Sequence, residues 1–334
     1  MGVTIKQIAE TVGVSAATVS RALNGLPGVG PRVRKRIASE AARRGYSPDA
    51  HARALVTGRV PFLALVVPDI TNPFFPAVAR GAEEEAALRG CSLLLVDTGD
   101  RPERLEHALD LLSSRRVAGL VLAVPAANGQ AARIAGRVVM AGVDAPPRSR
   151  VPVVGVDDRL GGRLVGRHLA ALGRRSLAFV SGPARDRSSR LRLAGLRDEI
   201  PRDLLGPVSH GRWTVESGRE QGRALFRSSS PPDAIFAAND LLAIGVAQAA
   251  SDAGLAVGRD VALVGYDDVE VAGLASVPLT TVSQPKLELG RVAARTLLDA
   301  IDGLDTPLPA LLEPRLVVRR SCGSAPDFAT REVP

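Results

Sequence analysis

Lysine is scarce in this chain: of 43 basic side chains only Lys6, Lys35 and Lys286 are lysine, and the rest are arginine. Aromatic residues make up only 3%, so each is a candidate for a specific task. The two cysteines, Cys91 and Cys322, are far apart. That argues against a disulfide framework or a cysteine zinc site and fits a reducing, cytoplasmic home. The four histidines (His51, His107, His168, His210) lack metal-ligand spacing. There is no G-x-x-x-x-G-K-[ST] phosphate loop and no G-x-S-x-G nucleophile elbow. An enzyme is therefore not expected, nor is a cofactor. No apolar segment follows the N-terminus as a secretory signal would. Nor is there an uninterrupted apolar run of about 18 residues, so no membrane span is expected.

What is present is unevenly distributed. Residues 1–60 hold ten Lys or Arg against Glu10, Glu40 and Asp49, which is +7 of the net +8. The other 274 residues are nearly balanced. A small basic head suits a polyanion, and the large neutral body serves another purpose. A length of 334 residues with 46% apolar content predicts two or three domains with a sizeable core.

The head reads as three short helices. Thr4 caps the first, with Gln7 completing a capping box, and Ile5, Ile8, Ala9 and Val12 recur at helical spacing. Gly13 stops that helix, and Ser15 caps a second with Val19, Ala22 and Leu23 inward. The two-residue connection Gly13-Val14 is of the helix-turn-helix kind. Asn24-Gly25 ends the second helix, and a third fits Pro31 to Arg44, with Gly45 at its C-terminal cap.

From Phe62 the body alternates apolar runs with helical stretches. Strands are expected at 62–67, 92–96, 119–124, 137–142, 176–181, 234–237 and 261–265, with helices at 74–89 and 102–115. This rhythm predicts parallel sheets with helices on both faces, in two lobes. Ligand sites in such folds lie at the carboxyl ends of strands.

The wording V-T-I-K-Q-I-A-E-T-V-G-V-S-A-A-T-V-S-R-A-L-N at 3–24 and R-G-Y-S-P-D-A-H-A-R-A-L at 44–55 resembles the LacI/GalR family of bacterial transcription regulators. The resemblance runs from about residue 3 to 321. It implies a head at 1–47, a hinge helix and linker at 48–60, a two-lobed periplasmic-binding-protein-like body at 61–322, and a tail at 323–334. The tail has no periodicity and is expected to be disordered.

The resemblance also implies roles. Ala16, Ala17 and Arg21 take the positions that face base edges in the major groove. Arg21 has reading power, because a guanidinium forks onto guanine O6 and N7. Thr4, Ser15, Thr18, Ser20, Asn24 and His51 complete the expected DNA contacts, mostly to phosphate; Ser15 is equally a plain N-cap. Leu55 is the minor-groove wedge of a hinge helix that forms on DNA, although by pattern alone it reads as a linker residue.

In the body the implied effector-facing residues are Phe74, Phe75, Asp157, Asp186, Ser188, Arg192, Trp213, Asn239, Asp267 and Gln284. Amides, carboxylates and a guanidinium around the sole Trp suit vicinal hydroxyls and a sugar ring. Without the resemblance, Trp213 and Phe74 read equally well as core, Asp157-Asp158 as solvated, and Asp240 as a helix cap. The chain departs from the family at Ala141, where an acid is usual, so a particular sugar is not implied. The expected protein is a homodimeric repressor with a palindromic operator, a sugar-like effector and no membrane partner. The rival is a sugar-binding transport protein, which the basic head disfavours.

Overall fold

The computed structural model describes residues 3–23, 26–46, 60, 62–99, 101–114, 116–125, 137–142, 151–304, 311–323 and 332–333. Three helices form the head: α1 (Ile5–Val12), α2 (Ala16–Leu23) and α3 (Pro31–Arg43). They close on Ile8, Ala9, Val12, Val19, Ala22, Ile37 and Ala41. The capping box at α1 is formed: Gln7 N–H donates to Thr4 Oγ1 at 3.4 Å, and Thr4 N–H donates to Gln7 Oε1 at 2.9 Å. Gly13 ends α1 at φ 72°, a left-handed conformation that costs glycine little.

Among the described residues the first lobe has one sheet, ordered β2-β1-β3-β4-β5. Its strands are β1 (Phe62–Val67), β2 (Ser92–Asp97), β3 (Gly119–Leu122), β4 (Val138–Ala141) and β5 (Val153–Val154), all parallel. β1 is apolar throughout and buried from Leu63 to Val67, as a central parallel strand covered on both faces must be. Among the described residues its helices are α4 (Phe74–Leu88) and α5 (Pro102–Ser113).

The second sheet is ordered β12-β11-β10-β9-β8-β6-β7. Its parallel strands are β6 (Leu177–Ser181), β7 (Leu205–His210), β8 (Ala234–Ala237), β9 (Ala262–Asp267) and β10 (Thr280–Ser283). β11 (Arg315–Val317) and β12 (Glu332–Val333) add antiparallel pairs at one edge. Two residues of the expected disordered tail thus pair with β11, because an edge strand offers unpaired backbone groups. Residues 324–331 lie outside the described residues.

Helices α6 (Asp158–Ala171), α7 (Arg187–Glu199), α8 (Val215–Phe226), α9 (Asp240–Asp252) and α10 (Glu270–Leu274) belong to this lobe. After β10 the chain returns to the first lobe as α11 (Lys286–Ile301), which packs on α4. The connections into and back to the second lobe touch: Asp157 N–H donates to the Leu312 carbonyl, and Leu312 N–H to that of Gly155, both at 2.9 Å.

Both lobes pack helices in pairs through glycine. A Cβ on Gly290 of α11 would lie 2.0 Å from the Val78 carbonyl oxygen, and one on Gly195 of α7 2.0 Å from that of Arg159. No larger residue permits that approach. It explains glycine inside helices, where it costs roughly 1 kcal/mol against alanine.

Candidate functional site

The head's surplus charge is partly committed to its own fold. Arg34 donates to the Ala22 and Leu26 carbonyls at 3.0 and 2.8 Å, which satisfies the end of α2. Arg36 donates to the Val12 carbonyl at the end of α1. Arg43 and Arg44 hold Glu40, whose carboxyl they pull down to about 2. Lys6, Arg21, Arg32 and Lys35 stand exposed.

On α2, Ala17 and Arg21 are one helical turn apart, and both are exposed. Ala16 is half-buried and packs against the head's core, on the side of the helix that carries Val19. Ser15 acts as the N-cap of α2, accepting Thr18 N–H at 3.1 Å, and the two hydroxyls pair at 2.8 Å. Ser20 is half-buried. Asn24, His51 and Leu55 lie outside the described residues.

The second lobe gathers a buried polar cluster where its strands end. Arg192 of α7 donates from Nε to Asp158 at 2.8 Å and from Nη1 to the Ala238 carbonyl after β8. Its Cζ lies 3.7 Å from the Tyr266 ring centroid, a cation–π contact. Burial disfavours this cation, but Asp158, Tyr266 and Asp267 more than offset that and hold its pKa above the usual value. Asp267 ends β9 and accepts Gln284 Nε2–H at 2.6 Å. Burial raises its carboxyl to about 6, although Arg192, Gln284 and Lys286 oppose the rise.

Of the residues expected at the effector site, the structure brings Arg192, Asp267 and Gln284 together, and it sets Asp158, Tyr266 and Lys286, which were not expected there, beside them. The acid that meets Arg192 is Asp158, while its neighbour Asp157 caps α6 by accepting Leu160 N–H at 2.9 Å. Asn239 is likewise a cap, accepting Leu242 N–H at 2.9 Å. Asp240 is not the cap: its buried carboxyl group accepts Thr281 Oγ1–H at 2.6 Å and Val269 N–H at 2.9 Å. Asp186 caps α7 through Ser189 N–H, with Ser188 half-buried beside it. Caps gather here because helices following parallel strands begin where the strands end, and a helix start needs an acceptor.

Trp213 is half-buried against Gly182, where a Cβ would come within 2.3 Å of the indole. In the first lobe, Phe74 and Phe75 meet edge to face, with centroids 5.2 Å apart, and are half-buried against the core. Ala141 is buried at the end of β4, so that rim lacks the usual acid. Among the described residues no cluster of His, Cys, Asp and Glu could hold a metal, and no helix is long and apolar enough to cross a membrane.

This combination of head and body is shared with known proteins. Residues 4–49 match the bacterial regulatory proteins of the lacI family, and 167–322 match a periplasmic binding protein-like domain. The HTH-type transcriptional regulator DegA of Bacillus subtilis (strain 168) is 32% identical over 334 residues, 96% of this chain and 98% of that protein. The ribose operon repressor of Escherichia coli (strain K12) is 33% identical over 306 residues, 89% and 93% of the two chains. A Lac repressor dimer bound to operator and the anti-inducer ONPF superimposes with a TM-score of 0.86 at 28% identity, covering 97% of this chain and all of that one. With a capped three-helix head and two lobes of this topology matched along nearly the whole chain, the protein belongs to the LacI family of bacterial regulatory proteins.

Proposed function

We propose that this protein is a sequence-specific transcriptional repressor whose operator affinity is set by a small sugar-like effector bound between the lobes. The observation that carries the reading is the pairing, in one chain, of an exposed Ala17–Arg21 face with a buried Arg192–Asp158–Asp267–Gln284 cluster. The relatives support it by name: one represses a ribose operon, and a structural neighbour is a dimer on operator DNA.

In this reading residues 1–47 bind DNA, 48–60 form the hinge, and 61–322 bind effector and dimerise. Two heads on a two-fold axis read a palindromic site in the bacterial cytoplasm, at the nucleoid. Arg21 reads a guanine, Ala17 leaves room or touches a thymine methyl, and Leu55 wedges the minor groove. Effector shifts the balance between lobe arrangements, and with it the pairing of the hinges. Asp267 and Gln284 face hydroxyls, and Trp213 and Phe74 cover the apolar side of the ring. Arg192 acts through Asp158 and Asp267 as much as on the ligand, because its guanidinium already has internal partners. The same body would serve a transport protein, but that rival gives the head no task.

The test is selection of operator sequences from random duplexes by the intact protein, followed by a sugar panel in a binding assay. A palindromic consensus whose occupancy changes with one sugar is expected. Salt-sensitive binding with no consensus would defeat the reading. A response to a purine alone would defeat its sugar part.

A further inference from the structure

The body's single lysine stands at an improbable place. Lys286 opens α11, where a cation opposes the helix dipole. Every other basic side chain after Lys35 is arginine. Its Nζ donates to the backbone carbonyls of Asp267 and, at 3.0 Å, Asp268. These two residues have φ of 107° and 52°, the only positive values among the described non-glycine residues. Left-handed backbone at consecutive L-residues is held only where its surroundings impose it. The compact ammonium, with three rotatable donors, can bridge two adjacent carbonyls; a planar guanidinium has its donors fixed in a fork. Two positions earlier, Gln284 holds the Asp267 carboxylate itself. The connection from β10 to α11 thus grips both the backbone and the side chain of Asp267, and α11 is packed on α4 of the other lobe.

We propose that Lys286 is a positioning residue of the effector site: it pins the Asp267–Asp268 turn from the start of α11 and so fixes the direction in which the Asp267 carboxylate is presented. Its consequence for effector binding rests on the reading given above, and its structural effect does not. Through α11, any ligand that moves Asp267 also pulls on the first lobe.

Other charged groups face this turn. Asp267 is influenced by Arg192, Asp158 and Lys286. Asp240 lies close enough for Asp267 and Asp268 to raise its carboxyl. Arg319 pairs with Asp268 at 2.7 Å. Removing Lys286 removes one of the cations that oppose the rise at Asp267. The midpoint of that carboxyl should therefore move further up.

The experiment uses the full chain with Lys286→Met, Lys286→Gln and Lys286→Arg, checked for cooperative unfolding. Hydrogen exchange of peptides spanning the Asp268 and Val269 amides is expected to quicken at least tenfold in Lys286→Met. In aspartate-labelled protein, with Asp267→Asn as the assignment, carbon NMR should show the Asp267 titration moved upward in the Met and Gln variants. Lys286→Arg should return it toward wild type. With D-ribose as the first probe and Trp213 fluorescence as the signal, Lys286→Met should weaken binding tenfold or more. If Lys286→Met does not fold, Lys286→Gln decides. Unchanged exchange and an unchanged Asp267 titration would overturn the proposal, whatever the ligand. A wild-type protein that answers no sugar defeats the effector reading alone, and the exchange and titration results still judge the positioning role.

Discussion

Arg21 in the head and Arg192 in the second lobe are the same residue type doing opposite physical work. Arg21 is exposed on α2, one turn from Ala17. Among the described residues no acid pairs with it, so binding a polyanion needs little reorganisation. Arg192 is buried, with Asp158 at 2.8 Å, the Ala238 carbonyl and the Tyr266 ring as partners. Removing such a group leaves its partners stranded in a low-dielectric interior. The head leaves Arg21 exposed and uses Arg34 and Arg36 for its fold. In the second lobe the groups of the proposed site are also bound into the fold.

The largest expected effect tests that buried side. Arg192→Ala leaves Asp158 uncompensated and should cost about 3–5 kcal/mol of body stability. Replacing both partners by apolar residues of similar volume should recover much of it. Denaturant unfolding checks this, and a loss below about 1 kcal/mol would mean that the pair is solvated and the contrast with Arg21 is wrong.

Next comes pH. Burial, with Asp267 adding to it, raises the Asp240 carboxyl to about 8, although bonds from Thr281 and Val269 pull the other way. An unfolded aspartate titrates near 4. The fold therefore holds a proton that the unfolded chain releases. That contribution to stability is complete below about pH 4 and is lost as pH rises through about 8. Body stability should decline across that window, and Asp240→Asn should flatten the decline, because an amide can meet both Thr281 and the Val269 N–H. Unfolding midpoints on either side of the window decide. Equal slopes for both proteins would show that Asp240 ionises freely.

The third prediction concerns the exposed side. Arg21→Ala should weaken the selected operator by about 1–3 kcal/mol, relax one symmetric base pair, and leave thermal stability unchanged. Equal losses on operator and random duplex would make Arg21 a phosphate contact.

This contrast also explains what the sequence could tell. Strand β1 was legible because six consecutive apolar residues between polar turns leave few alternatives. The capping box of α1 was legible because it is local. β7 was missed because Gly206 and Pro207 interrupt an edge strand whose side chains are half-exposed. Which acid of Asp157-Asp158 meets Arg192 was not legible: both stand at a helix start, and only packing of α6 on α7 determines it. Tyr266 and Lys286 had no local signal, since their partners, the Arg192 guanidinium and the Asp267 and Asp268 carbonyls, come from other segments.

The smallest effect separates fold from contact within the head. Thr4 is exposed and is committed to the capping box of α1, yet the family resemblance also places it against DNA. Thr4→Ala should lower the head's stability by about 1 kcal/mol, the usual cost of losing an N-cap. Thr4→Asp discriminates further. Aspartate caps as well as threonine and favours the helix dipole, so a purely capping role predicts restored stability and near-wild-type operator affinity. A phosphate contact predicts restored stability with weakened affinity, because the carboxylate would face the DNA backbone. Hydrogen exchange of α1 amides reads the first quantity and operator titration at fixed salt the second. Wild-type affinity in the Asp variant would place Thr4 with Arg34 and Arg36, among the residues that build the head rather than read with it.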